Sequence, residues 1–305
     1  MQLEDRVQYL NFLVKTYNQQ SKAIAATKQR LKALPGARRD EAFDPLLRGE
    51  DKAEGMNIVK DRIKREIKKE LANFDIWPLW LENVPGLGPW MAAEFIILFN
   101  YRFLPICKEC GGDLVKVKAK SGDGNVLVCS ICNKQAKRSA KGADDGGLLK
   151  YKLDLKDFPT ISKWWSYMGR EVIDGKLPKR KSGEQANWSS HGRMIGWQFS
   201  EQVNRQKDKT PYGKLLLEFK RKRQKKSPDW TPGHILNASK HEVVKIFLAH
   251  FWTVQRVLNG MPISLPYAHK ILGHSNIIEP PHMSEDLKEL YEEAKQHGYY
   301  VEIAA

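Results

Sequence analysis

Four cysteines carry the clearest chemistry in this sequence, and they fall into two Cys-x-x-Cys pairs. Cys107 and Cys110 form the first pair, and Cys129 and Cys132 form the second after eighteen intervening residues. Four thiolates at this spacing satisfy the tetrahedral coordination of Zn²⁺. The pattern therefore favours a structural zinc site over disulfide bonds. In a closed site of this kind the metal stabilises a small fold and takes no part in catalysis.

The segments between the two cysteine pairs alternate apolar and polar residues, which indicates β-strands. Leu114–Lys118 and Asn125–Val128 have this alternation, and glycine-containing turns flank them. We therefore predict a zinc ribbon over residues 102–141. The nine basic and three acidic residues of this range favour contact with nucleic acid.

A second candidate contact is the turn Asn-Val-Pro-Gly-Leu-Gly-Pro over residues 83–89, which leads into an apolar helical pattern. Glycine lets backbone N–H groups approach a phosphate closely, and the following helix offers its N-terminal donors. The arrangement predicts a helix-hairpin-helix element in which Gly86 and Gly88 bind DNA. Such a turn also serves as a plain connection between helices, and the net charge of the chain favours phosphate contact.

The positive charge of the chain is large and localised. Its net value is +15 over 305 residues. Residues 176–226, the basic block, hold 15 Lys and Arg against 4 Asp and Glu, whereas residues 279–305 carry a net charge of −5. Nucleic acid is the polyanion that most often matches such a surplus, and an anionic membrane surface is the alternative. The candidate nucleic-acid contacts in the basic block are Lys179, Arg180, Lys181, Arg193, Lys220, Arg221 and Arg223.

Composition and run length exclude other classes of protein. The chain is 41% hydrophobic, too much for a disordered polycation. Its apolar runs, such as Phe95–Phe99, are far shorter than the roughly 18 residues of a membrane span. The first residues also lack the charged start and apolar run of a signal peptide, so we expect none. We expect a cytoplasmic, nucleoid-associated protein without a membrane partner.

The elements that must position these residues are mainly α-helical. Amphipathic patterns from Leu3 to Leu31 and from Met56 to Phe74 predict an N-terminal arm over residues 1–82. This arm is a helical hairpin, a coiled coil through which two copies associate, or a packing arm without a partner. The further predicted domains are a helical DNA-binding domain over 83–101 and 148–262, the zinc ribbon insertion over 102–141, and an acidic helical tail over 263–305.

Several tryptophans and histidines lie within or beside the basic block. Most tryptophans are expected in the core, and an exposed one would stack on an unpaired base. The histidines are dispersed, and we interpret them as packed residues. The tryptophans concerned are Trp164, Trp165, Trp188 and Trp197.

The order of these motifs resembles the C-terminal half of the DEDD-type insertion-sequence transposases related to the Piv DNA invertase. The similarity extends over residues 84–100 and 158–260, with the zinc ribbon as an insertion. The segments that carry it are Val84–Ala93, Trp164–Gly169, Lys181–Gly183, Ser190–Arg193 and the helical pattern after Ser239.

In that family the C-terminal domain supplies a serine that attacks a DNA phosphate, and its studied members use a bridge RNA. The resemblance implies Ser182 as this nucleophile. It also implies that Arg180, Lys181 and Arg193 stabilise charge in the transition state. Without the resemblance, Ser182 is a turn residue in a basic loop.

The family also has a ribonuclease-H-like domain with four Mg²⁺-binding carboxylates, whereas only the helical arm precedes the hairpin here. Two-metal catalysis needs carboxylates that converge on the ions. A separate ribonuclease-H-like subunit would have to supply them, together with Mg²⁺. The acidic residues of the central part are scattered over predicted linker and helix positions, and they are Asp144, Asp145, Asp154, Asp157, Glu171 and Asp174.

The sequence therefore predicts a transposase-related DNA-binding protein with structural zinc, acting on DNA or on an assembly of DNA with a guide or structured RNA. Two alternatives stay open. One is an active strand-transfer enzyme that uses Ser182, with metal carboxylates supplied in trans. The other is a non-catalytic RNA-binding or regulatory accessory factor.

Overall fold

The chain is mainly helical in its computed structural model, as the sequence predicts. It divides into two compact units, one of residues 1–8 and 97–157 and the other of residues 9–96 and 158–305. The residues that the structure describes are 3–34, 36, 46–50, 53–107, 109–118, 125–136, 149–155, 158–173, 175–179, 186–263 and 278–296.

The helices follow the amphipathic patterns of the sequence. Short 3₁₀ turns at Leu81–Asn83 and Lys207–Lys209 connect some of them. None of the described helices is both long enough and apolar enough to cross a membrane. The helices are α1 (Leu3–Lys32), α2 (Met56–Leu71), α3 (Ile76–Leu79), α4 (Pro89–Asn100), α5 (Ile161–Tyr167), α6 (Ser190–Gln206), α7 (Pro211–Lys226), α8 (Pro232–Leu258) and α9 (Glu285–Gln296).

Five of the described helices begin after a capping hydroxyl group. The side chains of Thr160, Ser189, Thr210, Thr231 and Ser284 accept a hydrogen bond from a backbone N–H in the first turn of α5, α6, α7, α8 and α9. Such a cap stabilises a helix by about 1 kcal/mol. The cap at Thr231 precedes a proline, so α8 begins at Pro232 instead of the predicted Ser239.

Helix α8 forms the centre of the second unit, where it packs against α5, α6, α7 and α9. Its Phe247 ring lies 4.1 Å from that of Phe199 on α6 and 4.9 Å from that of Phe95 on α4. The indole N–H of buried Trp252 donates to the Phe158 carbonyl at 2.7 Å. Aromatic side chains of this size bury large apolar areas, so this cluster holds α4, α6 and α8 in fixed positions.

The N-terminal arm has a small core of its own. Ile24 and Leu31 of α1 pack with Leu47 and Met56. The Gln20 side chain also donates to the Met56 carbonyl at 3.1 Å, at the start of α2. A short hairpin of β1 (Gly49–Glu50) and β2 (Ala53–Glu54) precedes α2. The arm therefore packs within the chain; association of two copies through it stays a prediction.

The first unit contains two antiparallel sheets. In one, β3 (Tyr101–Cys107) pairs with β7 (Leu149–Leu155). In the other, β5 (Asn125–Cys129) lies between β4 (Leu114–Lys118) and β6 (Gln135–Ala136). The register of the second sheet places Leu114 opposite Cys129.

The β3–β7 pair is not part of the sequence prediction, which assigned the acidic residues of this region to linkers and helices. Asp154 instead lies on β7, opposite Arg102 of β3. The alternation Leu-Lys-Tyr-Lys-Leu-Asp-Leu over β7 is a strand pattern. Pro105 is compatible with β3 because each strand of a two-stranded sheet has a free edge.

Candidate metal centre and candidate nucleic-acid interface

The two cysteine pairs converge in space. Their four Sγ atoms lie within 4.8 Å of one another, and all four thiols are free. The Cys107 and Cys132 sulfurs are 3.7 Å apart, and the Cys110 and Cys129 sulfurs are 3.3 Å apart. A tetrahedral zinc site with Zn–S bonds of about 2.3 Å places its sulfurs about 3.8 Å apart. The donors therefore fit a zinc ion, which all four sulfurs would hold.

The turns that carry the two pairs have the same backbone geometry. The N–H of Gly111 donates to the Cys107 carbonyl at 2.8 Å, and the N–H of Asn133 donates to the Cys129 carbonyl at 3.1 Å. The residue after each second cysteine is left-handed, with φ of 72° at Gly111 and 57° at Asn133. Glycine and asparagine adopt this conformation most readily. Both turns thus orient their sulfurs by the same local chemistry.

The protein environment prepares two of the thiols to ionise. The N–H groups of Cys132 and its predecessor lie 3.5 and 3.4 Å from the Cys129 sulfur and lower the pKa of Cys129 to about 6. Hydrogen bonds from the backbone at Cys110 and its predecessor also lower the pKa of Cys107. At Cys132 the N–H of Lys134 lowers the pKa, but burial and the neighbouring sulfurs raise it to about 12. A bound cation would favour the thiolate form of the remaining groups.

The predicted hairpin is a tight turn between a 3₁₀ segment and α4. The Leu87 N–H donates to the Val84 carbonyl at 3.1 Å, and Gly86 has φ of +85°, as a type II turn requires. A Cβ at Gly86 would lie 2.2 Å from Nε2 of Gln206 on α6, whereas one at Gly88 would meet nothing within 4 Å. Gly86 therefore serves the turn and its packing against α6. Phosphate contact at these two glycines stays a prediction.

Arg193, in the first turn of α6, is held rigidly although it is only half-buried. Its Nε and Nη2 atoms donate to the Gly169 carbonyl at 3.1 and 2.8 Å, and its guanidinium lies 3.8 Å from the Trp188 ring centre. Gly169 has φ of +64°, and a Cβ there would lie 2.8 Å from Arg193 Nε. The glycine thus makes room for the arginine. The remaining N–H donors on Nη1 form no bond to the described residues.

Arg170 places a second guanidinium beside Arg193. It is 6% exposed, and its Nη2 donates to the Arg193 carbonyl at 2.9 Å. Its Nε has no hydrogen-bond partner among the described residues. Burial, together with the nearby charge of Arg193, lowers the pKa of Arg170 to about 10. Neither arginine forms an ion pair with a carboxylate in the part of the chain described.

His241 of α8 contacts Arg170, and Lys245 lies near His241. His241 of α8 donates through Nε2 to the Arg170 carbonyl at 3.1 Å, and burial and repulsion by Arg170 and Lys245 lower the pKa of His241 to about 4. The Lys245 ammonium lies 4.0 Å from the Trp165 ring centre. Burial lowers the pKa of Lys245 too. With a pKa near 4, His241 is neutral at pH 7, so the positive charge without an ion pair beside the start of α6 is that of Arg170 and Arg193, and this charge attracts anions.

A buried carboxylate of another helix contacts the start of α6. Glu94 of α4 is 3% exposed and accepts hydrogen bonds from Asn18 of α1 at 2.9 Å and from His191 of α6 at 2.7 Å. Trp90 donates to the Asn18 side-chain oxygen at 2.9 Å. The bond to Glu94 raises the pKa of His191, against opposing effects of burial and Lys22. This network joins α1, α4 and α6.

The other predicted site residues are divided between described and undescribed parts of the chain. Ser182, Arg180 and Lys181 lie outside the described residues, so the nucleophile stays a prediction. Lys179 is exposed, and Lys220 and Arg221 lie on the last two turns of α7. Arg223 differs from them because it pairs with Glu242 and lies near the Trp230 ring. Its charge is thus balanced within the fold.

The sequence predicted the cysteine cluster, whereas it gave no prediction of a site role for Arg170, Glu94 or His191. The role of Arg193 in binding nucleic acid stays a prediction. The hydrogen-bonded pair Glu94 and His191 is separated by 97 positions, and no local pattern joins them. Gly169 was the local signal for the turn that contains Arg170, since a glycine at the end of a helix often adopts the left-handed conformation. Compared with models of known protein families, with curated proteins and with solved structures, the chain matches none of them.

Proposed function

We propose that the protein is a transposase-related DNA-binding protein that contacts phosphates at the start of α6 and contains a structural zinc ribbon. The observation that carries the proposal is the pair Arg170 and Arg193, whose charges no described carboxylate balances. A buried cation without a counter-ion is costly, and a bound phosphate would offset that cost. Arg193 is fixed before binding, so little side-chain entropy would be lost on contact.

The cysteine cluster supports the same proposal through folding. A four-cysteine zinc site leaves no open coordination position, so its contribution would be stability of the small strands β4, β5 and β6. The metal would hold together residues 102–141, a segment with nine basic and three acidic residues. The zinc site would therefore stabilise a basic part of the chain without taking part in chemistry.

The proposal is tested by fluorescence anisotropy with a labelled 20-base-pair duplex at a series of salt concentrations. We expect affinity to fall steeply with salt, and Arg193→Gln to reduce the slope of log K against log salt by about 1. Arg62→Gln, which removes an exposed arginine paired with Glu54, serves as the matched control and should leave the slope unchanged. Absent or salt-independent binding of both DNA and RNA would refute the proposal.

Two further measurements separate the two alternatives: anisotropy with an RNA duplex of 20 base pairs, and detection of a covalent protein–DNA adduct after denaturation. An accessory RNA-binding factor would bind the duplex RNA of equal length more tightly than the DNA. A strand-transfer enzyme would instead leave a covalent protein–DNA adduct after denaturation, and Ser182→Ala would abolish it. A DNA-binding protein without catalysis gives salt-dependent DNA binding and no adduct.

A further inference from the structure

Trp197 is an exposed aromatic side chain on the face of α6 opposite the core. It is 52% exposed, and its indole has no ring or hydrogen-bond partner among the described residues. Met194, one turn earlier on the same face, is 42% exposed. By contrast, Trp164 of α5 and Trp252 of α8 are fully buried. An exposed indole on a rigid helix forms a flat apolar surface available to a partner.

Arg193 and Trp197 are one helical turn apart, and side chains at this spacing are neighbours. Both side chains therefore leave the same side of α6, where the Arg193 guanidinium is held against the Gly169 carbonyl and the Trp188 ring. Glu201, one turn further along, is the acidic residue of this face, and its carboxylate pairs with Lys240 at 2.6 Å. The negative charge near Trp197 is thus neutralised, while the positive charge of Arg193 is not.

We propose that this face of α6 binds an unpaired nucleotide, with Trp197 stacked on the base and Arg193 bound to the adjoining phosphate. The inference rests on the proposed function and specifies the form of nucleic acid: the partner contains single-stranded DNA. Every base has a flat apolar face, so stacking on an indole needs no particular sequence. The basic block that contains α6 supplies the charge complementarity.

The size of the patch favours a nucleotide over a protein partner. Two exposed apolar side chains, Met194 and Trp197, form this surface. A stable protein interface buries about 800 Å² on each side, with a broad apolar centre. One base and its phosphate match an indole flanked by one arginine.

The test measures anisotropy of labelled dT15 and of a 15-base-pair duplex with the full chain and with Trp197→Ala. Loss of one stacked base is expected to weaken dT15 binding about 5- to 150-fold. Duplex affinity should change less than about twofold, because paired bases do not reach the indole. Trp197→Phe, which keeps a stacking ring, should retain part of the affinity.

Two matched variants separate stacking from charge and from a general loss of apolar surface. Trp197→Ala should leave the salt slope for dT15 unchanged, whereas Arg193→Gln should reduce it by about 1. Phe12→Ala removes the most exposed aromatic ring of α1, which is 59% exposed, and should leave dT15 binding unchanged.

The outcomes distinguish this inference from the proposed function. If the chain binds duplex with salt dependence and Trp197→Ala does not weaken dT15 binding, the inference is wrong and the proposed function stands. The inference is also wrong if Trp197→Ala changes the sedimentation behaviour of the protein and not its affinity for dT15, which would indicate a protein interface. If neither dT15 nor duplex binds, both fail.

Discussion

Replacing Glu94 with glutamine tests whether the buried carboxylate and His191 form an ion pair that fastens α6. An ionised carboxylate only accepts hydrogen bonds, so His191 must donate from Nε2 at the observed 2.7 Å. The substitution removes the charge and keeps the shape. Asn18 donates to the other carboxylate oxygen, so the new amide would keep its oxygen toward Asn18 and turn its NH2 group toward His191. His191 would then have to be neutral and accept that bond.

The magnitude follows from the type of bond and its exposure. A hydrogen bond between charged groups stabilises a fold by roughly 1.5–3 kcal/mol. The His191 side chain is 42% exposed, so solvent screens part of this interaction. We expect Glu94→Gln to lower the free energy of unfolding by about 1–2 kcal/mol at pH 5.5.

The effect should decline as the pH rises. Because the bond to Glu94 raises the pKa of His191, its stabilisation is fully present below the unfolded pKa of about 6.5 and is lost as the pH rises through the folded pKa. At pH 9 the difference should be below about 1 kcal/mol, since a bond between neutral groups can replace the original.

Two further histidines, the partly buried His241 and the buried His250, have the opposite pH dependence. Burial lowers the pKa of both His241 and His250 to about 4, so both the wild type and the variant should lose stability between about pH 6.5 and pH 4. This loss is common to the two proteins. The difference between them at each pH therefore isolates the Glu94 and His191 pair.

Urea unfolding followed by tryptophan fluorescence is the suitable assay. All nine tryptophans lie in residues 9–96 and 158–305, so the signal reports on the unit that contains Glu94. Glu201→Gln is the control, because it breaks another ion pair of α6, with Lys240, that contains no histidine. Its effect should not vary with pH. A Glu94→Gln effect that is equal at pH 5.5 and 9, or larger at pH 9, would refute the ion pair.

Three further changes follow from the geometry. Cys129→Ser should reduce bound zinc, measured by plasma mass spectrometry, from about one per chain to well below that, and unchanged zinc would exclude the four-cysteine site. Gly169→Ala should lower the free energy of unfolding by about 1 kcal/mol or more and weaken DNA binding, because the added Cβ strains a left-handed residue and displaces Arg193. Thermal unfolding measures the first effect and anisotropy the second. A variant with unchanged stability and affinity would show that the position of Arg193 against Gly169 is not needed. Tyr212→Phe removes the hydroxyl that donates to buried His250 at 2.8 Å. It should lower the free energy of unfolding, measured with urea at pH 7, by about 1–3 kcal/mol. An unchanged value would mean that His250 finds another partner.

Local patterns predicted much of the secondary structure. The repeat of apolar residues in α8 identified a buried helix, and the alternation in Leu114–Lys118 identified a strand. These predictions succeed because periodicity depends on residues a few positions apart. The β3 and β7 strands show the limit of local patterns. The alternation in β7 is itself a strand pattern, but its pairing with β3 joins residues about fifty positions apart, which no local pattern specifies.

The sequence by itself determined the cysteine cluster, since two short spacings and the residue types Gly111 and Asn133 specify both turns. It also determined that residues 176–226 are strongly basic. Only the tertiary structure decided which charges are balanced. Arg223 meets Glu242, whereas Arg193 meets a backbone carbonyl and a tryptophan ring. Charge balance depends on side chains that helix packing brings together from distant positions, and no local pattern encodes that packing.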